Sequence, residues 1–329
     1  MLPDEENILG DRKLDENILQ SLPGAEAIIS VRQHGISAWA GTFCITALEI
    51  TGKERKYFMK VSVGHEGSWA LEGEFISSTA IYSITLNFCP KPIAKGTFKS
   101  DASLHFYISD FYNFSDGVPQ PDSFCRQLAK LHSKESPNGK FGFECTTYNG
   151  NLPQDNTWHD SWEEFFANGL RHILTLREER AGPNTALNAL LPTFFNAVIP
   201  RLLRPLESNG RRVKPSLVHG DLWCGNARII DRESGEGLVY DPASFWAHNE
   251  YELGNWRPER NNFTQAYFDA YHSHIAKSEP VEDYDDRNAL YALRFNLHAA
   301  TMIPDRDTVL QMVMEEMQRL NKQYGRITE

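Results

Sequence analysis

Two short apolar runs, each ending in an acidic residue, constrain this chain more than any other feature. LVHGD (217–221) opens a segment that continues to Asn226, and LVYD (238–241) places Asp241 twenty positions after Asp221. Short apolar runs bounded by turn residues read as buried strands, so two carboxylates are expected side by side at a strand edge. His219-x-Asp221-x4-Asn226 has the spacing of a phosphotransferase catalytic loop. In that template the aspartate orients a hydroxyl and accepts its proton, while the asparagine amide oxygen and a second aspartate, here Asp241, hold Mg²⁺. Phosphoryl transfer calls for such a set because its transition state is mainly positioned and neutralised by charge. The plainer reading, in which Asp221 and Asn226 only cap a turn, requires three polar features to coincide. His219 is read differently, as a brace for the loop through backbone hydrogen bonds.

A nucleotide also needs a cation. TFCITALEI (42–50) and RKYFMKVSV (55–63) read as a hairpin around Thr51-Gly52-Lys53-Glu54. Its second strand carries Lys60 between Met59 and Val61, a costly place for a lysine that does not point into a cleft. A helix predicted from Trp69 to Ile84 offers Glu74 as its partner, with Glu72 in reserve. The glycine-rich loop is weak: HGISAWAGTF (34–43) lacks GxGxxG, and no P-loop signature occurs anywhere.

The rest of the chain supplies two lobes. Leu14, Ile18, Leu19 and Leu22 fall at helical spacing, and a strand pair after Pro90 ends in LHFYISDF (104–111). Beyond Pro121 the pattern becomes helical, over 123–133, 162–180, 186–207 and 308–324, with only 216–220 and 237–241 as strands. The expected class is α+β: a β-rich N-terminal lobe (1–111), a mostly helical C-terminal lobe (112–329), and a nucleotide cleft between them. A net charge of −11 argues against bulk binding to nucleic acid or anionic membranes. No apolar run approaches the roughly 20 residues that span a bilayer, and the acidic start is unlike a signal peptide. Five scattered cysteines without a CxxC pair point to a reducing, cytoplasmic setting.

Taken together, these residues resemble the fructosamine (ketosamine) 3-kinase family, within the protein-kinase-like group that includes aminoglycoside and choline kinases. HGDLWCGN (219–226) is similar to its HGDLWxGN, and DPASFWAHNEYEL (241–253) to its DPAxxxGHxExEL. FGFECTTYNGNLPQDNTWHDSWEEFF (141–166) is similar to a segment that generic kinases lack; the wording is closest to fungal members. The resemblance implies a protein-kinase-like two-lobe fold, ATP and Mg²⁺ as cofactors, and phosphorylation of a ketosamine, free or on a protein, at its 3-hydroxyl, leading to deglycation. It assigns Asp221 as base, Asn226 and Asp241 as metal ligands, and Lys60 with Glu74 as the nucleotide ion pair. Ser109, Asp110 and Phe111 would form the adenine hinge, and Trp223 would stack on the sugar.

His248, Glu250, Glu252 and His298 lie near the substrate cleft by the same resemblance, although Glu252 serves equally well as an arginine's partner. His272 and His274 do not share a helix face, so a metal pair is not expected there. Two departures stand out. Gln33-His34-Gly35-Ile36 replaces a glycine pair and a cysteine, which puts redox switching in doubt. GNWRPERNNF (254–263) brings in Arg257 and Arg260, either to select an acidic acceptor or, as preferred, to form a surface salt-bridge segment. A monomer is favoured. Another small-molecule kinase of the aminoglycoside or choline type is the alternative, and a pseudokinase the next.

Overall fold

The computed structural model describes Leu9, residues 15–303 and residues 307–325; Leu14 lies outside them. Helix α1 (Glu16–Ser21) leads into β1 (Ala25–Gln33), β2 (Gly41–Glu49) and β3 (Glu54–Val63). Helix α2 (Gly64–Ile84) follows, then β4 (Pro92–Thr97) and β5 (Leu104–Asp110), completing an antiparallel sheet of order β1-β2-β3-β5-β4. Side-chain alternation gives β3 its two faces. Tyr57, Met59 and Val61 are wholly buried against Ile45, Ala47 and Ile108. Lys60 therefore turns the other way, into the cleft.

Two sequence expectations change here. β1 was not foreseen: it is a largely exposed strand whose pairing with β2 shifts register twice, which erases the alternation that marks a strand. Helix α2 begins at Gly64 rather than Trp69, because Gly64 at φ +74° turns β3 directly into the helix. Its far end packs beyond the sheet's core, with Ile81 joining the buried cluster of the second lobe.

That lobe contains α3 (Pro121–His132), the hairpin β6 (Tyr148–Asn149) and β7 (Leu152–Pro153), α4 (Trp162–Ala181), α5 (Thr185–Thr193) and α6 (Ile199–Leu203). The predicted 186–207 helix is broken up: Pro192 lies inside α5, a π turn covers Phe194–Val198, and Arg204–Glu207 is 3₁₀. Among the described residues, 185–207 is the one helical run long and apolar enough to cross a membrane. Leu187, Phe194, Val198 and Leu202 of that run are buried in the lobe's core. Strands β8 (Ser216–Val218), β9 (Ala227–Ile229), β10 (Gly237–Val239) and β11 (Phe245–Ala247) precede α7 (Asn249–Leu253), α8 (Gln265–His272), α9 (Tyr284–Met302) and α10 (Asp307–Tyr324). The two motif strands do not pair with each other: β8 pairs with β11 and β10 with β9. Other bonds bring their acidic ends together.

Candidate active site

Lys60 Nζ lies 2.8 Å from both oxygens of Glu74 and 2.6 Å from Asp241 Oδ1. The sheet, α2 and the turn after β10 thus meet at one ammonium. Burial disfavours the Lys60 charge, but the Asp241 and Glu74 carboxylates outweigh it and push the pKa up. Burial likewise raises the Glu74 carboxyl, with Lys60 opposing and Asp241 adding. Glu72, the reserve partner, pairs instead with Lys95.

The loop after β8 is stitched to the segment before β11 rather than paired as a ladder. Ala243 N–H donates to His219 O at 2.9 Å. His219 Nδ1 accepts from Asp221 N–H at 3.3 Å, so its proton lies on Nε2, which donates to Tyr240 O at 3.0 Å. Burial holds this imidazole neutral by lowering its pKa, and the bracing role expected of it is what the geometry shows. Gly220 takes φ +85°, and a Cβ there would stand 2.1 Å from Ala243 O. Only glycine fits.

Asp221 faces this junction. Burial pushes its carboxyl well above the usual range; a hydrogen bond from the Asn149 side chain opposes this, Asp241 and Glu252 add to it, and Asn226 opposes it again. Asn226 Nδ2 donates to Asp221 O at 2.9 Å and to Asp221 Oδ2 at 3.0 Å. Spending its NH₂ on Asp221 turns the amide oxygen of Asn226 the other way. Asp241 takes the left-handed conformation, φ +57°, and its side chain remains 45% exposed. Asn226 and Asp241 therefore present oxygen donors, which suit a hard cation such as Mg²⁺. Among the described residues no group of three or more His, Cys, Asp or Glu side chains could hold a metal. Two such donors would leave a cation's other positions to phosphate and water.

Asn149 was missed at the sequence level. The available signal was Asn149-Gly150-Asn151, a turn-forming triplet. Its carbonyl accepts from His298 Nε2 at 2.9 Å. Ser109, Asp110 and Phe111, the expected hinge, line the same cleft as Lys60 and Asp241, together with Phe114 and Tyr240. Asp110 is largely committed elsewhere: its N–H donates to Lys91 O at 3.0 Å and its carboxylate pairs with Arg55 at 2.9 Å. Ser109 is buried within the sheet, and the Phe111 ring meets His34 edge-on at 4.8 Å. Trp223 is 40% exposed beside Asp221, with Gly225 leaving room for its ring.

Several residues expected near the substrate lie elsewhere. Glu252 is fully buried and accepts the amides of His219 and Gly220 rather than an arginine, tying down the start of the loop from behind. His298 is buried too, and its pKa is lowered to about 3 by burial and by Arg294. A neutral ring holding a backbone carbonyl is a brace, not a substrate group. His248 and Glu250 join a core network, with Glu250 on Arg287 at 3.0 Å and His248 on Tyr291 at 2.9 Å. Arg257 pairs with Asp285 at 2.8 Å, as the plainer reading has it, and Arg260 bonds Asn296 at 2.5 Å. His272 bonds Tyr284 and Ile275 O.

Comparison with known proteins places this arrangement. The family profile described as fructosamine kinase matches residues 27–320. The mouse protein named ketosamine-3-kinase is 30% identical over 262 residues, covering 72% of this chain and 80% of that one. A solved structure of a candidate fructosamine-3-kinase from Thermobifida fusca superposes with a TM-score of 0.71 at 20% identity, covering 93% of this chain and 98% of that one. An aminoglycoside phosphotransferase solved with AMP-PNP and hygromycin B gives 0.60 at 16% identity, over 94% and 97% of the two chains. The two-lobe kinase-like architecture is thus shared with both.

Proposed function

Because the chain belongs to the fructosamine kinase family, we propose that it transfers the γ-phosphate of ATP to the 3-hydroxyl of a ketosamine, free or carried on a protein lysine. The observation that carries this reading is the meeting of Lys60 with Glu74 and Asp241 in one cleft, with Asp221 near enough to Asp241 for the two carboxylates to repel. Residues 1–111 supply the nucleotide's cation and hinge, and residues 112–329 the base, the metal ligands and the acceptor side. Lys60 is held charged for the phosphates, with Glu74 fixing its position. Ser109 to Phe111 border the adenine end. Asp110's spent N–H leaves base reading to the backbone from Phe111 onward.

Asn226 and Asp241 would hold Mg²⁺, which when bound neutralises phosphate charge and lowers the cost of ionising Asp221. Asp221 takes the proton of the acceptor hydroxyl as that oxygen bonds the γ-phosphorus. The bond from phosphorus to the β-phosphate oxygen breaks, and ADP leaves with its electron pair. Trp223 offers a flat apolar face to the sugar. Glu252 and His298 act from behind the loop, not on substrate. The five free cysteines support a reducing, cytoplasmic setting.

Coupled ATP consumption with Mg²⁺ tests the reading, with ribulose-lysine, fructose-lysine, choline and an aminoglycoside offered in parallel. Turnover is expected on a sugar adduct. Turnover on choline or the aminoglycoside alone would replace the acceptor class while keeping the phosphotransferase.

A further inference from the structure

One large, part-exposed aromatic side chain, Trp39, has no part in the roles above. Trp39 sits on the loop between β1 and β2, whose His34, Gly35 and Ile36 border the nucleotide cleft. Its ring is 41% exposed, yet it reaches the other lobe. A Cβ built on Gly150 would stand 3.2 Å from Trp39 Nε1 and 3.4 Å from its Cε2, with Met302 Sδ closing the same floor. Gly150 has φ +59°, and its lack of a side chain makes room for the indole.

The place it reaches matters. Gly150 directly follows Asn149, whose side chain bonds Asp221 and whose carbonyl His298 holds. Met302 lies one helical turn beyond His298 at the end of α9. The indole thus rests on the same small platform that positions the base, but arrives from the nucleotide lobe. A flat apolar ring with one N–H donor suits the C–H face and hydroxyls of a sugar. Covering the reacting centre from that lobe also keeps water from the γ-phosphate.

We propose that Trp39 is a specificity-determining residue that forms the nucleotide-lobe wall of the acceptor site, its indole seated on the Gly150–Met302 floor and meeting the ketosamine sugar with its exposed side. This rests on the kinase reading above and adds to it a contact from the opposite lobe to Trp223. It makes the acceptor site a product of both lobes, completed when the loop over the phosphates is in place.

Steady-state kinetics of Trp39→Ala, Trp39→Leu and Trp39→Phe decide it, with the ketosamine and Mg-ATP varied separately. Trp39→Ala and Trp39→Leu are expected to raise the acceptor KM roughly five- to tenfold, and Trp39→Phe to restore most of it. The ATP KM should stay within about twofold, and hydrolysis of ATP without acceptor should rise. Gly150→Ala, which crowds the indole off its floor, should reproduce the acceptor defect. Trp39→Leu keeps apolar bulk and settles the matter if the alanine variant does not fold. An unchanged acceptor KM, or equal rises in both KM values, would assign Trp39 to the phosphate loop alone and overturn the proposal. Absence of ketosamine turnover in the unaltered protein would instead refute the kinase reading itself.

Discussion

Replacing Glu252 by glutamine changes one atom, from oxygen to nitrogen, at a site with no solvent. The carboxylate is fully buried and accepts from two backbone amides, His219 N–H and Gly220 N–H. Glutamine keeps one acceptor oxygen, so one amide would face an NH₂ group instead. The lost bond to a charged acceptor is worth about 1.5–3 kcal/mol, and the stranded buried donor costs about 1–3 kcal/mol more. Some of this returns, because His132 Nε2 lies 3.6 Å from the carboxylate and has no other hydrogen-bond partner. A new bond there offsets about 1 kcal/mol. The expected loss is therefore about 1.5–5 kcal/mol, large for so small a change. Urea unfolding followed by tryptophan fluorescence measures it, and kcat should fall alongside, since the same amides set the start of the loop bearing Asp221. A stability change below about 0.5 kcal/mol would refute the reasoning that Glu252 anchors the loop.

Other outcomes follow from the same geometry. Lys60→Met leaves Glu74 and Asp241 without their shared cation; transfer should fall by about 100-fold or more, checked by initial rates, while Glu72→Gln should leave the rate nearly unchanged. His298 and His248 are buried neutral, with folded pKa values below the ordinary 6.5, His298 at about 3. The unfolded chain binds the protons that the folded one refuses, so their contribution is complete above pH 6.5 and is lost as pH falls from there toward 3. His298 alone accounts for up to about 5 kcal/mol across that window. Unfolding measured from pH 7 to 4 should show a shallower decline in His298→Gln than in the unaltered protein; an identical slope would contradict this.

How much was legible in the sequence follows from where each residue finds its partners. Asp221, Asn226 and Asp241 sit in two contiguous motifs whose spacing carries the chemistry, and Lys60 betrayed itself as a charge between Met59 and Val61 in a strand. Glu74 was separable from Glu72, and the structure pairs it with Lys60. Burial was harder to read. Glu252 and His298 are polar residues whose partners are backbone groups 32 or 33 and 149 positions away, so sequence alone could not tell a cleft residue from a buried brace. Asn149 escaped notice for the same reason: its hydrogen bond to Asp221 exists only once β6 and the catalytic loop pack together. The exposed β1, with its two register shifts, carries too little alternation to announce itself. The two motif strands were read as carrying neighbouring carboxylates at their ends; the strands themselves pair elsewhere, and the bonds of His219 join their ends in place of a ladder.

The central claim is that Asp221 serves transfer to a ketosamine hydroxyl in a nucleotide site built by Lys60, Glu74 and Asp241. Rapid-quench single turnover with labelled ATP, Mg²⁺ and excess fructose-lysine or ribulose-lysine tests it most directly, comparing the protein with Asp221→Asn. The account predicts label on the third carbon's oxygen of the sugar in the unaltered protein. In Asp221→Asn it predicts ATP bound with similar affinity but transfer slowed by about 100-fold or more. Equal transfer in both proteins, or label that never reaches either sugar, would contradict it.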